Sequence, residues 1–279
     1  MNKKLLALYS LKYNPFSPDV PAAALFVPPP LESFGWRLEQ QLGEGGFALV
    51  SGEPGTGKSA ALRVLSARLG AVRDVSVGVL TRPQASMADF YRELGHRFGV
   101  ALRPHNRWHG AQALRETWQA HIESCLHRPV LLIDEAQEMK TALFCELRLL
   151  ASADLDARSF LTVIFAGDSR LLERFSGPEL LPIASRIRTR LLLESASVEE
   201  LRHCLAHRLR EAGNGRLLSA AVESALAEHA CGNYRLMMNM ANDLLALAVR
   251  REAEQIDEKL FFEAFDPQGT ASPVKRRKS

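Results

Sequence analysis

Long hydrophobic runs are missing from the 279-residue sequence. Stretches such as residues 130–133 are typical, whereas a membrane span needs roughly 18 apolar residues in a row. The N-terminus, Met-Asn-Lys-Lys-Leu-Leu-Ala-Leu, starts like a secretion leader, but its apolar part stops at Tyr9 and Ser10 and Lys12 follows. That core is too short for a signal peptide, so a cytoplasmic protein with no membrane partner is expected. Cysteine is scarce. Cys125, Cys145, Cys204 and Cys231 are too widely spaced for a CxxC redox pair or a zinc ribbon. His203, Cys204 and His207 are close in sequence, but on a helix they read as one partly exposed face rather than a metal site. An excess of charge is also lacking. The 35 Lys and Arg against 32 Asp and Glu leave +3, and Lys275, Arg276, Arg277 and Lys278 supply four positive charges. The body without them is about −1, so any contact with nucleic acid must come from a local patch or the tail. Internal repeats are absent, which excludes a solenoid.

Apolar residues at 47% and charged residues at 24% describe a soluble globular chain and exclude disorder as its main state. The length suits one large domain or two small ones. Residues 1–34 carry Pro15, Pro18, Pro21, Pro28, Pro29 and Pro30 and read as an ordered-looking but irregular lead-in, since proline fixes φ and removes a donor. A helix follows over 31–42. Short apolar strands then alternate with amphipathic helices: strands at 47–50, 75–80, 130–133, 160–166 and 190–193, helices at 58–69, 86–98, 109–126, 141–151 and 170–175. This alternation predicts a five-stranded parallel sheet covered on both faces over residues 35–195. From Ser197 the strand signal stops. Ser197 and Glu200 form a capping box, Gly213 closes that helix, and Ser219, Asn233 and Asp257 open three more. Residues 196–266 are therefore expected to be a separate all-helical domain, and 267–279 a disordered basic tail.

Gly52-Glu53-Pro54-Gly55-Thr56-Gly57-Lys58-Ser59 matches GxxxxGK[ST] in full, between a strand and a helix. Glycines let the backbone wrap a phosphate with its N–H groups, and the helix N-terminus adds a positive dipole end. Residues 52–60, ending at Ala60, are the expected nucleotide contacts. Lys58 would reach the β- and γ-phosphates of ATP, and Ser59 would offer a hydroxyl to Mg²⁺. Downstream, Asp134 and Glu135 follow the apolar strand at 130–133. Asp134 is placed to meet Mg²⁺ and Glu135 to polarise the attacking water. Two adjacent carboxylates in a crevice are costly unless a metal compensates. Phe16 either lines an apolar slot for the adenine ring or is simply core.

With these two motifs the sequence resembles the AAA+ ATPases over most of residues 10–265. The resemblance implies an α/β P-loop domain followed by a helical lid, and it assigns further roles. The strand ending at Ala166-Gly167-Asp168 takes the place of the sensor 1 strand. Asp168 is the candidate there, although the usual Asn or Thr is absent. Ser185-Arg186-Ile187 resembles the box whose arginine reaches the nucleotide of a neighbouring subunit, with Arg188 and Arg190 as competitors. Gly232-Asn233-Tyr234-Arg235 resembles sensor 2, with Arg235 acting from the lid. The opening Leu11-Lys12-Tyr13-Asn14-Pro15-Phe16, the Asp134-Glu135-Ala136-Gln137 run and Gly167-Asp168-Ser169-Arg170-Leu171 are similar to the ExeA/GspA branch and its transposon-encoded relatives of the IstB and TniB kind. Secretion-linked members continue into a membrane span and a peptidoglycan-binding domain. Neither lies within these residues, which favours the mobile-element relatives.

That resemblance implies an ATP-dependent, oligomeric assembly, ring or filament, on double-stranded DNA that recruits a transposase. An accessory ATPase of secretion acting on a protein complex is the alternative. No acidic triad for strand transfer is evident, so that chemistry would belong to the transposase. Arg82, after the second strand, and Arg103 and Arg107, in the loop ending at Trp108, are the candidate DNA contacts. Ordinary surface arginines on loops are the competing explanation.

Overall fold

A computed structural model of the chain describes residues 2–80, 82–100, 107–125, 128–153 and 158–265. They form two compact units, residues 27–194 and residues 2–26 with 195–265. Helix α1 (Asn2–Leu8) opens the chain and belongs to the latter.

The unit 27–194 begins with α2 (Pro29–Gln41), two residues earlier than the apolar spacing suggested. Pro29 and Pro30 lie in its first turn, where a missing N–H costs nothing. Then come β1 (Gly46–Gly52), α3 (Lys58–Gly70), β2 (Val75–Leu80), α4 (Met87–Phe98), α5 (Arg107–Cys125) and β3 (Arg128–Ile133). A 3-10 turn at Ala136–Glu138 leads to α6 (Thr141–Ala151). The two-residue strands β4 (Ser152–Ala153) and β5 (Arg158–Ser159) pair antiparallel. The unit closes with β6 (Thr162–Gly167), α7 (Ser169–Ser176), α8 (Leu181–Ala184) and β7 (Ile187–Leu193).

Five strands form one parallel sheet in the order β2-β3-β6-β1-β7. Alternation along the central strands explains why both faces are covered. Phe47 and Leu49 of β1, Leu131 and Ile133 of β3, and Val163 and Phe165 of β6 join the core that holds buried residues of α4 to α8. Their neighbours Ala48, Val50, Val130, Leu132, Ile164 and Ala166 join the opposite core, under α2 and α3. Strand β7 begins three residues before the expected 190. Its exposed Arg188 and Arg190 interrupt the apolar pattern, while Ile187, Thr189 and Leu191 point inward.

The other unit contains α9 (Val198–Ala212), α10 (Ala220–His229), α11 (Tyr234–Arg251) and α12 (Glu258–Phe265). Ser197 and Glu200 complete the capping box, and Gly213 takes a left-handed φ of 106° as the C-cap of α9. Residues 2–26 of the lead-in pack into this helical unit. Leu5, Tyr9, Leu11 and Phe16 are buried among Leu205, Leu209, Leu244 and Leu245. Buried Arg208 fixes the proline turn by donating from Nε to the Pro15 carbonyl at 2.8 Å and from Nη2 to Ser17 O at 3.0 Å. No helix among the described residues is long and apolar enough to cross a membrane.

Candidate functional site

Parallel pairing sets the carboxyl ends of β3, β6 and β1 side by side. Ile133 pairs with Phe165, and Gly167 pairs with Ser51. The segments that leave these three strands begin with Asp134, Asp168 and the glycine loop. Crevices beyond strand carboxyl ends are where such sheets bind ligands.

The loop itself is built by backbone that only glycine adopts cheaply. Gly55 and Gly57 have φ of 91° and 99°, and Gly57 is the N-cap of α3. Gly52 is required for another reason, since a Cβ there would lie 2.5 Å from Leu193 O and 2.7 Å from Thr56 Oγ1. Thr56 closes the loop on itself, donating from Oγ1 to Glu53 O at 2.8 Å. Lys58 is only 7% exposed. Its ammonium donates to Gly52 O at 2.7 Å and Glu53 O at 3.1 Å, so the cation spans the loop from within. An anion seated in the loop would exchange those neutral carbonyls for charge. Glu53, Pro54 and Ser59 are exposed, Gly57 and Ala60 half-buried. Oxygen donors suit a hard cation, and Ser59 on α3 and half-buried Asp134 after β3 supply a hydroxyl and a carboxylate.

The acidic turn is shaped as closely. Asp134 Oδ1 accepts from Glu135 N at 2.9 Å. Glu135 takes a left-handed φ of 50°, uncommon for a residue with a side chain, and its carboxylate is exposed. Gln137, 7% exposed, donates from Nε2 to Glu135 Oε2. Arg174 of α7 then clamps the turn from below. One guanidinium nitrogen donates to the carbonyls of Gln137 and Met139, each at 2.6 Å, and the group stacks 5.1 Å from the Phe144 ring. Sequence reading missed Arg174 and any role for Gln137 beyond its motif. Only the three-dimensional return of α7 brings residue 174 under residues 137–141.

Asp168 is the N-cap of α7, accepting from Arg170 N at 3.0 Å, and pairs with the Arg170 guanidinium at 2.8 Å. That hydrogen bond from Arg170 is the chief reason its carboxyl lies below the usual range, and the positive charge of Lys58 adds to the effect. Arg170 also meets Glu138 at 3.0 Å, and Glu138 accepts from Gln84 Nε2 at 3.3 Å. A polar chain thus runs from Gln84, in the loop after β2, to Asp168 at the end of β6.

The remaining candidates are placed separately. Arg186 follows α8, half-buried, and donates to Pro182 O. Arg188 pairs with Glu44, and Arg190 donates to Ala184 O at 3.2 Å. In the helical unit Arg235 is exposed in the first turn of α11, after Gly232 with φ 80°. Phe16, 3% exposed, sits in that unit's core. Arg82 is exposed. Arg103, the side chain of Arg107 and the basic tail at 275–278 lie outside the described residues. His203 pairs with Glu199 at 3.1 Å, Cys204 is buried, and no group of three metal-ligating side chains occurs among the described residues.

Comparison with known proteins bears on the fold. The family described as "AAA domain" matches residues 41–175. Over 172 residues the chain is 28% identical to General secretion pathway protein A of Aeromonas hydrophila, which is 61% of this chain but 30% of that protein. Among solved structures, the ORC2 protein of Aeropyrum pernix superposes with a TM-score of 0.71 at 15% identity, covering 90% of this chain and 70% of its own. The ORC1 protein of the same organism, solved in complex with DNA, gives 0.66 at 19% identity, covering 90% and 67%. At these identities the likeness establishes the fold: an AAA+ P-loop sheet with a helical C-terminal region.

Proposed function

We propose that the protein is a Mg²⁺-dependent ATPase whose nucleotide state governs a larger assembly. The observation that carries this reading is Lys58, a buried cation held by its own loop's carbonyls at the carboxyl edge of the sheet that also carries the Asp134–Glu135 turn. Loop N–H groups and Lys58 bind the phosphates, and Ser59 and Asp134 hold the metal. Mg²⁺, when bound, neutralises charge on the β- and γ-phosphates. Glu135 accepts the proton of the attacking water as its oxygen bonds to the γ-phosphorus and the bond to the β-bridging oxygen breaks, leaving ADP and phosphate. Arg186 is proposed to act on the nucleotide of a neighbouring copy, and Arg235 to respond to the γ-phosphate from the helical unit. Such a cation is worth roughly 10³–10⁵ in rate where it operates.

For the process served, the proposed reading is assembly on duplex DNA that recruits a transposase, with hydrolysis driving disassembly. Exposed Arg82 and the polar chain Gln84–Glu138–Arg170–Asp168 support it, since they join the candidate DNA loop to the nucleotide site. A second reading, an accessory ATPase of secretion that acts on a protein complex, is favoured by the 28% identity to General secretion pathway protein A. ATP hydrolysis measured with and without random-sequence duplex DNA, at low and moderate salt, separates the two. Stimulation that fades with salt fits the DNA assembly. Hydrolysis indifferent to DNA removes Arg82 and the tail from the account and leaves the protein-directed reading.

A further inference from the structure

Gln137 binds neither phosphate nor metal in this reading, yet its side chain is 7% exposed and bonded to the acidic turn. It is buried, and its two amide atoms face different ways. Nitrogen faces a carboxylate oxygen of Glu135. The assignment of amide ends is fixed by charge, because an amide oxygen against a carboxylate would repel it. The oxygen is therefore turned toward Gly167, so closely that a Cβ on that residue would lie 2.6 Å from Gln137 Oε1 and 2.7 Å from Leu171 Cδ2. No hydrogen-bond partner for this oxygen exists among the described residues. The backbone of Gln137 is locked as well, through the Arg174 bond to its carbonyl.

These constraints have one beneficiary. Glu135 is exposed and stands on a left-handed backbone, so nothing in its own packing would hold a long carboxylate side chain in one rotamer. A neutral amide bonded to one carboxylate oxygen fixes the side chain without cancelling its charge, and leaves the second oxygen to meet a water. The glycine at 167 makes room for that amide at the end of β6.

We propose that Gln137 is a positioning residue for Glu135, acting through the carboxylate and touching neither nucleotide nor water, with Gly167 as the slot that seats it. The inference rests on Glu135 being the base. Leucine at 137 keeps the burial and removes the donor, and histidine can restore a donor.

The test compares wild type, Gln137→Leu, Gln137→His, Gly167→Ala and Glu135→Gln for kcat and KM with Mg-ATP, affinity for a fluorescent ATP analogue, and thermal midpoint. A misplaced base lowers turnover by roughly 10- to 100-fold. The expected result is such a fall in kcat for Gln137→Leu, with KM and analogue affinity within about twofold of wild type and a midpoint not lowered. Gln137→His regains part of the loss. Gly167→Ala loses turnover with Glu135 and Gln137 both intact, because its methyl displaces the amide. A Gln137→Leu enzyme that keeps its turnover while Glu135→Gln loses it overturns the inference and leaves Glu135 as the base. Loss of turnover in Gln137→Leu that comes with weakened nucleotide binding or a lowered midpoint, and that histidine does not recover, also overturns it, since Gln137 is then part of the packing. If Glu135→Gln keeps the wild-type rate, the base assignment fails and this inference falls with it.

Discussion

Replacing Arg174 with alanine should loosen the acidic turn and destabilise the α/β unit together. Two hydrogen bonds from a charged donor to the carbonyls of Gln137 and Met139 are lost, each 2.6 Å long in the native fold. Bonds of this type contribute about 1.5 kcal/mol each at the low end of their range. The guanidinium also stacks 5.1 Å from Phe144, worth about 0.5–1 kcal/mol for a partly exposed pair. Gln137 and Met139 are 7% and 2% exposed, so water gains poor access to the abandoned carbonyls. The sum is roughly 3.5–4 kcal/mol. For a unit of this size that lowers the thermal midpoint by about 7–16 °C. Arg174→Lys keeps the charge but cannot reproduce the planar fork, so it should recover less than half of the loss. Thermal unfolding followed by circular dichroism, with ATP turnover measured below the transition, is the assay. A midpoint for Arg174→Ala within about 2 °C of wild type would refute the clamp, since neither carbonyl would then depend on it.

Other consequences are open to direct measurement. Lys58→Ala should abolish nucleotide binding in a fluorescence titration while circular dichroism still reports a folded protein, since it removes the cation and leaves the backbone of the loop unchanged. Arg186→Ala should leave ATP affinity nearly intact and remove hydrolysis in the assembled state, whereas loss of binding would place its role within its own subunit. The Asp168 carboxyl lies below its usual value chiefly because of Arg170, so its contribution to stability is present above about pH 4 and is lost as the pH falls below that. Acid unfolding of Asp168→Asn should lack that part of the pH dependence. Burial pushes the Cys204 thiol up to about 12, so at pH 8 native protein should leave it unmodified by a thiol reagent while exposed Cys231 reacts. Deleting residues 275–278 should reduce the salt slope of DNA binding by up to about 3–4 units if all four charges meet phosphates, and an unchanged slope excludes the tail.

The parallel sheet was legible in the sequence because its central strands are buried on both faces and read as unbroken apolar runs. The edge strand β7 was half hidden for the opposite reason: its exposed Arg188 and Arg190 alternate with buried Ile187, Thr189 and Leu191. Helix starts were readable wherever a side chain caps them, as at Ser86, Ser197, Ser219 and Asn233. The start of α2 was not, because its cap is Pro28, which contributes no side-chain bond. The phosphate loop and the Asp134–Glu135 pair are contiguous motifs and so visible in one dimension. Arg174, and the slot that Gly167 provides for Gln137, depend on contacts between segments some 30–37 residues apart, such as the Arg174 bond to the Gln137 carbonyl. The lead-in looked irregular because its prolines break periodicity. Its order comes from Arg208, nearly two hundred residues away.

The most direct test of the central claim is turnover of Mg-ATP by wild type and by Glu135→Gln at matched nucleotide occupancy, both being assayed with and without duplex DNA. The account predicts that the variant binds ATP as tightly as wild type and hydrolyses it at least about 100-fold more slowly. A variant that turns over ATP at the wild-type rate would contradict it, because the acidic turn would then play no part in the chemistry.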